Sequence, residues 1–237
     1  MKITILSENT STLDTDLGAE WGFSAFVESG GKNILFDTGA SGLFIENAKK
    51  LGVGLGKTDF LVISHGHWDH TGGVQDFIKR FDTKGMTLIA HPGAFGSEKK
   101  EFKGCVFSDK PVEFTPGAIF LGEVARTYED AGSGNKDDSA AVFKTEKGGV
   151  LVTGCSHSGV LNLAKAAEKE VGHIHAIIGG FHLGDASAER LECIISGFKE
   201  LDIGELRPGH CTGDTAIAEM EQGLGARRIT TGEVIEI

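Results

Sequence analysis

The segment Ile63-Ser64-His65-Gly66-His67-Trp68-Asp69-His70-Thr71-Gly72-Gly73 decides the reading of this chain. Three histidines and an aspartate fall within six residues. The segment follows an apolar run of strand type at 60–63 and precedes a helical pattern at 74–81. In a tight loop, side chains two positions apart can point at one centre. His65 and His67 can therefore share one metal ion, while Asp69 and His70 turn toward a second. Imidazole and carboxylate suit zinc, iron or manganese, and the glycines permit the backbone turns that such convergence needs. The competing reading is a chance cluster of ordinary histidines. From this composition, H-x-H-x-D-H should arise in under about one in a thousand such chains, so the metal reading wins.

Outward from the loop, short β-rich runs alternate with helical patterns. Residues 2–6, 23–28 and 33–36 read as strands, the last two joined at Gly30-Gly31. Residues 60–63 and 87–90 read as buried strands. Residues 140–144 and 150–153 form a second hairpin around Gly148-Gly149, and 176–178 and 234–237 complete the set. Val160, Leu163, Ala164, Ala167 and Val171 line one helix face. Leu191, Ile194, Ile195 and Phe198 line another, with Ser187 as its N-cap. Residues 43–51 also have a helical pattern. The polar stretch 129–139 reads as a loop. The pattern predicts one α/β domain over 1–237, built from two similar halves that meet near 110–117, where Pro111 and Pro116 stand.

Composition narrows the function. The chain has 237 residues and a formal net charge of −11, which argues against non-specific nucleic-acid or anionic-membrane binding. No apolar run approaches the ~20 residues of a membrane helix, and the first residues turn polar too soon for an export signal. The four cysteines, Cys105, Cys155, Cys193 and Cys211, form no C-x-x-C pair. Reduced thiols and a cytoplasmic location are the expectation.

One loop cannot close a metal site, so further ligands are expected elsewhere. His157, His182 and His210 each follow a strand-like run and sit beside glycines, where α/β sheets place their sites. His173 and His175 alternate at a strand start and read as structural. His91, before Pro92, is open between the two roles.

These residues strongly resemble the metallo-β-lactamase superfamily. The resemblance covers almost the whole chain and implies a four-layer αβ/βα sandwich with a one- or two-metal site at one edge of two mixed sheets. His65–His70 is its most specific mark. Phe36-Asp37-Thr38-Gly39 is similar to the motif whose aspartate supports the metal loop from behind, and Pro208-Gly209-His210 to the motif of a terminal histidine ligand. The common Thr-Gly-Asp, whose aspartate bridges two metals, is here Thr153-Gly154-Cys155, with His157 following and Asp137-Asp138 near the usual upstream histidine. The resemblance thus implies His65, His67, Asp69, His70, His157 and His210 as ligands. Cys155, Asp138 or His157 is the bridging candidate.

Glu20-Trp21-Gly22-Phe23-Ser24, Gly154-Cys155-Ser156-His157, Gly180-Phe181-His182-Leu183 and His210-Cys211-Thr212-Gly213 resemble the dihydropterin synthase-like branch. That branch implies one or two divalent ions, zinc first, with manganese, iron or magnesium as alternatives. It also implies a small phosphate-containing substrate and allows a homo-oligomer. Its namesake joins a dihydropterin diphosphate to a ribofuranosylaminobenzene 5′-phosphate; other members are metal-dependent hydrolases. Asp69 is the candidate to orient water, and His182 or Glu20 to act as acid, base or substrate contact. Trp21 and Phe181 are candidates to stack on a flat ring, with core packing as the alternative. A helix start near Ser158 is a candidate phosphate contact. Hydrolysis of a phosphoester, lactone or thioester is the alternative activity, and a non-catalytic metal-binding protein a second alternative.

Overall fold

The computed structural model describes residues 1–12, 16–94, 101–128 and 134–237. Its contacts divide the chain into two compact units, residues 1–109 with 230–237 and residues 110–229.

The first unit holds a seven-stranded mixed sheet. Strands β1 (Lys2–Ser7), β2 (Ser24–Ser29) and β3 (Lys32–Phe36) run antiparallel. The β2–β3 turn is Gly30-Gly31, both at positive φ (57° and 71°), as a tight hairpin requires. Then β4 (Phe60–Ile63), β5 (Thr87–Ala90) and β6 (Gly104–Phe107) add parallel to β3, and β13 (Val234–Glu236) closes the other edge. Helices α1 (Leu43–Lys50), α2 (Trp68–Thr71) and α3 (Val74–Arg80) supply the crossovers. Phe44, Ile45 and Phe77 pack with Leu35, Leu61 and Leu88 in one apolar core. Each such side chain contributes roughly 2 kcal/mol on burial.

The second unit repeats the plan. Strands β7 (Val112–Thr115), β8 (Ala118–Phe120), β9 (Ala140–Thr145) and β10 (Gly148–Thr153) are antiparallel, and β11 (Ile174–Gly180) and β12 (Glu205–Gly209) continue parallel to β10. Helices α4 (Val160–Val171) and α5 (Ala188–Glu200) make the crossovers, and α6 (Asp214–Leu224) follows β12. The α4 face read from the sequence is the buried one. Ser187 caps α5, accepting from the Arg190 N–H at 3.2 Å.

Three expectations are corrected or extended. The second hairpin turns at Glu146-Lys147, because Thr145 already pairs with Gly148; the Thr145 hydroxyl accepts from Lys147 N and donates to Gly148 O. The sequence reading passed over β6, β7, β8 and α6, and of β12 it marked only a strand-like run before His210. Of the 129–139 loop, residues 129–133 lie outside the described residues, and 134–139 carry no helix or strand. Among the described residues, no helix is long and apolar enough to cross a membrane.

Both units carry parallel strands joined by helices. In such sheets the carboxyl ends of the strands are where sites form. Those ends are β3 and β4 in the first unit, and β10, β11 and β12 in the second.

Candidate metal centre

In the first unit the H-x-H-x-D-H segment leaves β4 and turns into α2. Asp37, just after β3, organises it. Asp37 holds a left-handed φ of 53°, a conformation aspartate tolerates better than most residues. Its Oδ1 accepts from Ser64 N at 2.7 Å, and its Oδ2 from Ser64 Oγ at 2.6 Å and from His70 Nδ1 at 2.7 Å. Ser64 Oγ in turn lies 2.9 Å from His65 Nδ1. Because Ser64 donates to the carboxylate, it accepts from His65. One buried carboxylate therefore fixes two tautomers, and both His65 and His70 turn Nε2 outward as the lone-pair nitrogen. A hydrogen-bonded second ring nitrogen is the usual accompaniment of a metal-binding histidine.

The other members of the loop gather around these two. The His65 ring lies 4.6 Å from that of His67 and 4.3 Å from that of His70. Asp69 Oδ2 is 3.9 Å from His70 Nε2 and accepts from Trp21 Nε1 at 2.9 Å. Gly72 and Gly73 admit this packing: a Cβ on Gly72 would stand 2.1 Å from Ala40 O, and one on Gly73 2.4 Å from Thr38 O.

In the second unit the carboxyl ends of β10, β11 and β12 carry three non-glycine residues in the left-handed region, Ser156 (φ 60°), His182 (52°) and His210 (48°). Such backbone costs of order 1–3 kcal/mol each and persists where surroundings enforce it. Here Ser156 Oγ donates to Gly180 O at 2.6 Å, and Thr212 Oγ1 accepts from Phe181 N at 3.1 Å. The strand ends bring Cys155 and His210 to within 4.8 Å, ligand atom to ligand atom. The rings of His157 and His182 stand 4.3 Å apart. Cys211 lies against the Cys155 carbonyl, Sγ to O 3.4 Å. A hydrogen bond with the Cys211 side chain raises the His182 pKa above the ordinary histidine value, against burial, which lowers it. Burial opposes ionisation of the Cys211 thiol, yet Cys155, His182 and His210 together hold its pKa well below the usual thiol value.

Asp138 is fully buried. Its Oδ2 accepts from Ser158 N at 2.8 Å, while its Oδ1 is buried without a hydrogen-bond partner. Burial pushes its pKa from 3.8 up to about 6, against the hydrogen bonds from Ser158. The folded state therefore holds this proton more tightly than the unfolded chain. The ionised carboxylate costs stability that grows as pH rises from 3.8 to about 6 and stays constant above, about 3 kcal/mol at full size. Asp138→Asn keeps an acceptor for Ser158 and removes the charge. Urea denaturation of the metal-free variant should show a gain over the parent at pH 7.5 that disappears below pH 4. An equal difference at both pH values would contradict this account.

The structure thus brings His65, His67, Asp69 and His70 together in one unit, and Cys155, His157, His182 and His210 to neighbouring strand ends in the other. Glu20 lies before β2 in the first unit. Its carboxylate accepts from Ser7 Oγ, Ala40 N, Ser41 N and Ser41 Oγ, so it braces the turn after Asp37. Phe181 is buried and packs 5.8 Å from the Phe198 ring, in the core. No side chain caps α4, and the Ser158 N–H is already taken by Asp138. His91 Nδ1 accepts from Gly93 N in a local turn. His173 and His175 lie at the opposite end of β11 from His182. Sequence reasoning missed Ser64 and the bond from Trp21 to Asp69. The position of Ser64 between strand and first histidine was the signal for the former; nothing in spacing announces the latter.

In the first unit, the imidazoles of His65 and His70, each with its Nδ1 hydrogen-bonded, stand with a carboxylate, and in the second unit imidazoles stand with a buried thiol; each set is of donor types that suit a borderline divalent ion such as zinc. Two mixed sheets flanked by helices, with these donor sets at the strand ends, define a metal-dependent protein of one class. A family model described as the metallo-beta-lactamase superfamily matches residues 19–187, and the chain belongs to that superfamily. Within it, the chain is 31% identical over 263 aligned positions to the 7,8-dihydropterin-6-methyl-4-(beta-D-ribofuranosyl)-aminobenzene-5′-phosphate synthase of Methanocaldococcus jannaschii, covering 90% of this chain and 88% of the relative. It is 32% identical to an uncharacterized protein of the same organism, covering 93% and 94%. Among solved structures, Tm1679, a metal-dependent hydrolase of the beta-lactamase superfamily, superposes with a TM-score of 0.85 at 27% identity, covering 100% of this chain and 99% of that one.

Proposed function

We propose that this chain is a metal-dependent transferase that joins a dihydropterin diphosphate to a ribofuranosylaminobenzene 5′-phosphate and releases diphosphate. The observation that carries the reading is the 31% identity, across nine-tenths of the chain, to the synthase of that name. Ligands of the divalent ions, zinc in first place, are His65, His67, Asp69 and His70 with His157 and His210, and Cys155 stands where the superfamily's bridging aspartate would. When bound, such ions neutralise a diphosphate leaving group, or acidify a water in the hydrolytic variant of this chemistry.

The residues divide the remaining work. The arylamine nitrogen forms a bond to the pterin methylene carbon as the bond from that carbon to the diphosphate oxygen breaks, with the electron pair leaving on diphosphate. The nitrogen then sheds one proton. His182, half-buried and with its basicity raised by Cys211, is the group to hold it. Asp37 and Ser64 keep His65 and His70 in the metal-binding tautomer throughout.

The second reading is a metal-dependent hydrolase of a phosphoester, lactone or thioester, favoured by the likeness to Tm1679. The test incubates zinc-loaded protein with both synthase substrates and follows diphosphate release and product mass. Asp69→Ala/His70→Ala is the control. Metal-dependent coupling that is lost in the control supports the synthase. Bound metal with diphosphate release but no coupled product, or with no turnover of the pair, overturns it and leaves the hydrolase.

A further inference from the structure

In the second unit the peptide bond between His157 and Ser158 is held by a charged side chain at each pole. Its carbonyl, that of His157, accepts from Arg126 Nη1 at 2.9 Å. Its N–H, that of Ser158, donates to Asp138 Oδ2 at 2.8 Å. The holders are tied down in turn. Arg126 Nη2 donates to Asn135 O at 2.7 Å, and Ser158 Oγ donates back to the Asp138 carbonyl at 3.3 Å. A guanidinium at the oxygen and a carboxylate at the N–H both favour this one orientation of the peptide dipole.

That peptide is the soft element of its loop. Gly159 N donates to Ser156 O at 2.9 Å, which closes a β-turn with His157 and Ser158 as the central residues. Type I and type II turns differ by a flip of the central peptide, which turns ψ of the first central residue by about 150°. Ser158 keeps a negative φ, as type I requires. A flip here would turn the carbonyl oxygen toward the Asp138 carboxylate and the N–H toward the Arg126 guanidinium, two repulsions in place of two bonds. Capping of α4 does not account for Asp138, because α4 begins at Val160 with Gly159 as N-cap, and the bond goes to Ser158. Stability does not account for it either. The fully buried carboxylate costs stability when ionised, and its Oδ1 has no hydrogen-bond partner. Such a cost is kept where a site needs one fixed geometry.

We propose that Arg126 and Asp138 are positioning residues that lock the His157–Ser158 peptide, so that His157 is held in one orientation at the strand end before any ion arrives. The inference rests on the functional reading above for the role of His157 as a ligand; the lock itself does not. A ligand ordered in advance loses less freedom on binding.

The experiment uses the whole chain, metal-free and then titrated with zinc against a chromophoric chelator. Asp138→Ala removes the acceptor, Asp138→Asn keeps one, and Arg126→Met removes the donor to the carbonyl. In the metal-free protein the Ser158 amide should exchange with solvent at least about tenfold faster in Asp138→Ala than in the parent, and near the parental rate in Asp138→Asn. The Leu163 amide, bonded to Gly159 O, should keep its rate in both; equal acceleration of the two amides means general loosening and overturns the lock. Zinc affinity should fall about tenfold in Asp138→Ala and in Arg126→Met, and stay within about twofold of the parent in Asp138→Asn. Asp138→Asn is also the variant expected to gain stability at pH 7.5, so affinity follows the hydrogen bond and stability follows the charge; a merely structural role would move them together. Parental affinity in Asp138→Ala or in Arg126→Met overturns the lock. An equal loss in Asp138→Asn and Asp138→Ala overturns it too, because the charge would then be the cause. His157→Ala tells these failures from a failure of the ligand assignment. It should lose at least about tenfold in affinity, and parental affinity there removes His157 as a ligand, and the proposal with it, even where the Ser158 amide behaves as expected.

Discussion

Replacing Asp37 by asparagine should weaken zinc binding by about 10- to 100-fold with little change in circular dichroism. The substitution preserves size and one acceptor oxygen. It cannot preserve all three bonds, because Asp37 accepts from Ser64 N on one oxygen and from Ser64 Oγ and His70 Nδ1 on the other. Either orientation of the amide sets an NH2 group against a donor. With the amide nitrogen toward His70, the imidazole must turn its bare nitrogen inward and carry its proton on Nε2, where the metal would bind. Ser64 can no longer donate to the residue behind it, and the tautomer of His65 is released as well. Asp37→Ala should weaken binding to a similar degree, and it also leaves the buried Ser64 N–H without its acceptor, a further loss of about 1–3 kcal/mol in stability. Competition against a chromophoric chelator measures the affinity, and urea denaturation of the metal-free proteins measures the stability. Parental zinc affinity in Asp37→Ala, which removes both acceptor oxygens, would show that the relay does not set the donor nitrogens.

The same residues show what the sequence makes legible. The loop at His65–His70 announces itself because metal binding needs particular residue types at short spacing, Asp37 is reached only through the family resemblance, and β4 is recovered to the residue because a buried strand is a plain apolar run. Strand β12 is harder. It contains Pro208 and lies at a sheet edge, where proline is tolerated and the strand signal is weak. Strand β8 has only three residues. Helix α6 buries only Ala216, Ile217 and Met220, too sparse a stripe to read. Hydrogen bonds between distant segments are invisible to any local pattern. Nothing in the spacing around Glu20 announces the four groups its carboxylate accepts from, and nothing around Trp21, a candidate for stacking or for core packing, announces that its N–H reaches Asp69.

Gly179 should be the least replaceable glycine of the second unit, with Gly179→Ala costing roughly 3–5 kcal/mol as strain and overpacking add. It pairs with Thr153 across β10 and β11, and its φ is +125°. A Cβ there would stand 2.0 Å from the Thr153 carbonyl oxygen and 2.8 Å from its hydroxyl. The obstacle is backbone, so no rotamer change relieves it, and the two strands must part at their carboxyl ends. Those ends lead directly to Cys155 and His157 on one strand and to His182 on the next. Thr153 Oγ1 also donates to Gly180 O at 3.0 Å, a bond the displacement would break. Gly172→Ala is the matched comparison: its φ is +81° and its ψ −145°, backbone that glycine adopts almost alone, and a Cβ there meets nothing within 4 Å, so only backbone strain of roughly 1–3 kcal/mol is added. Urea denaturation of the metal-free proteins separates the two costs. Zinc affinity then follows geometry rather than stability: it should fall in Gly179→Ala and hold in Gly172→Ala, since only the first shifts the strand ends that carry the candidate ligands. Equal losses of affinity in the two variants would mean that global stability, and not the register of β10 against β11, governs metal binding.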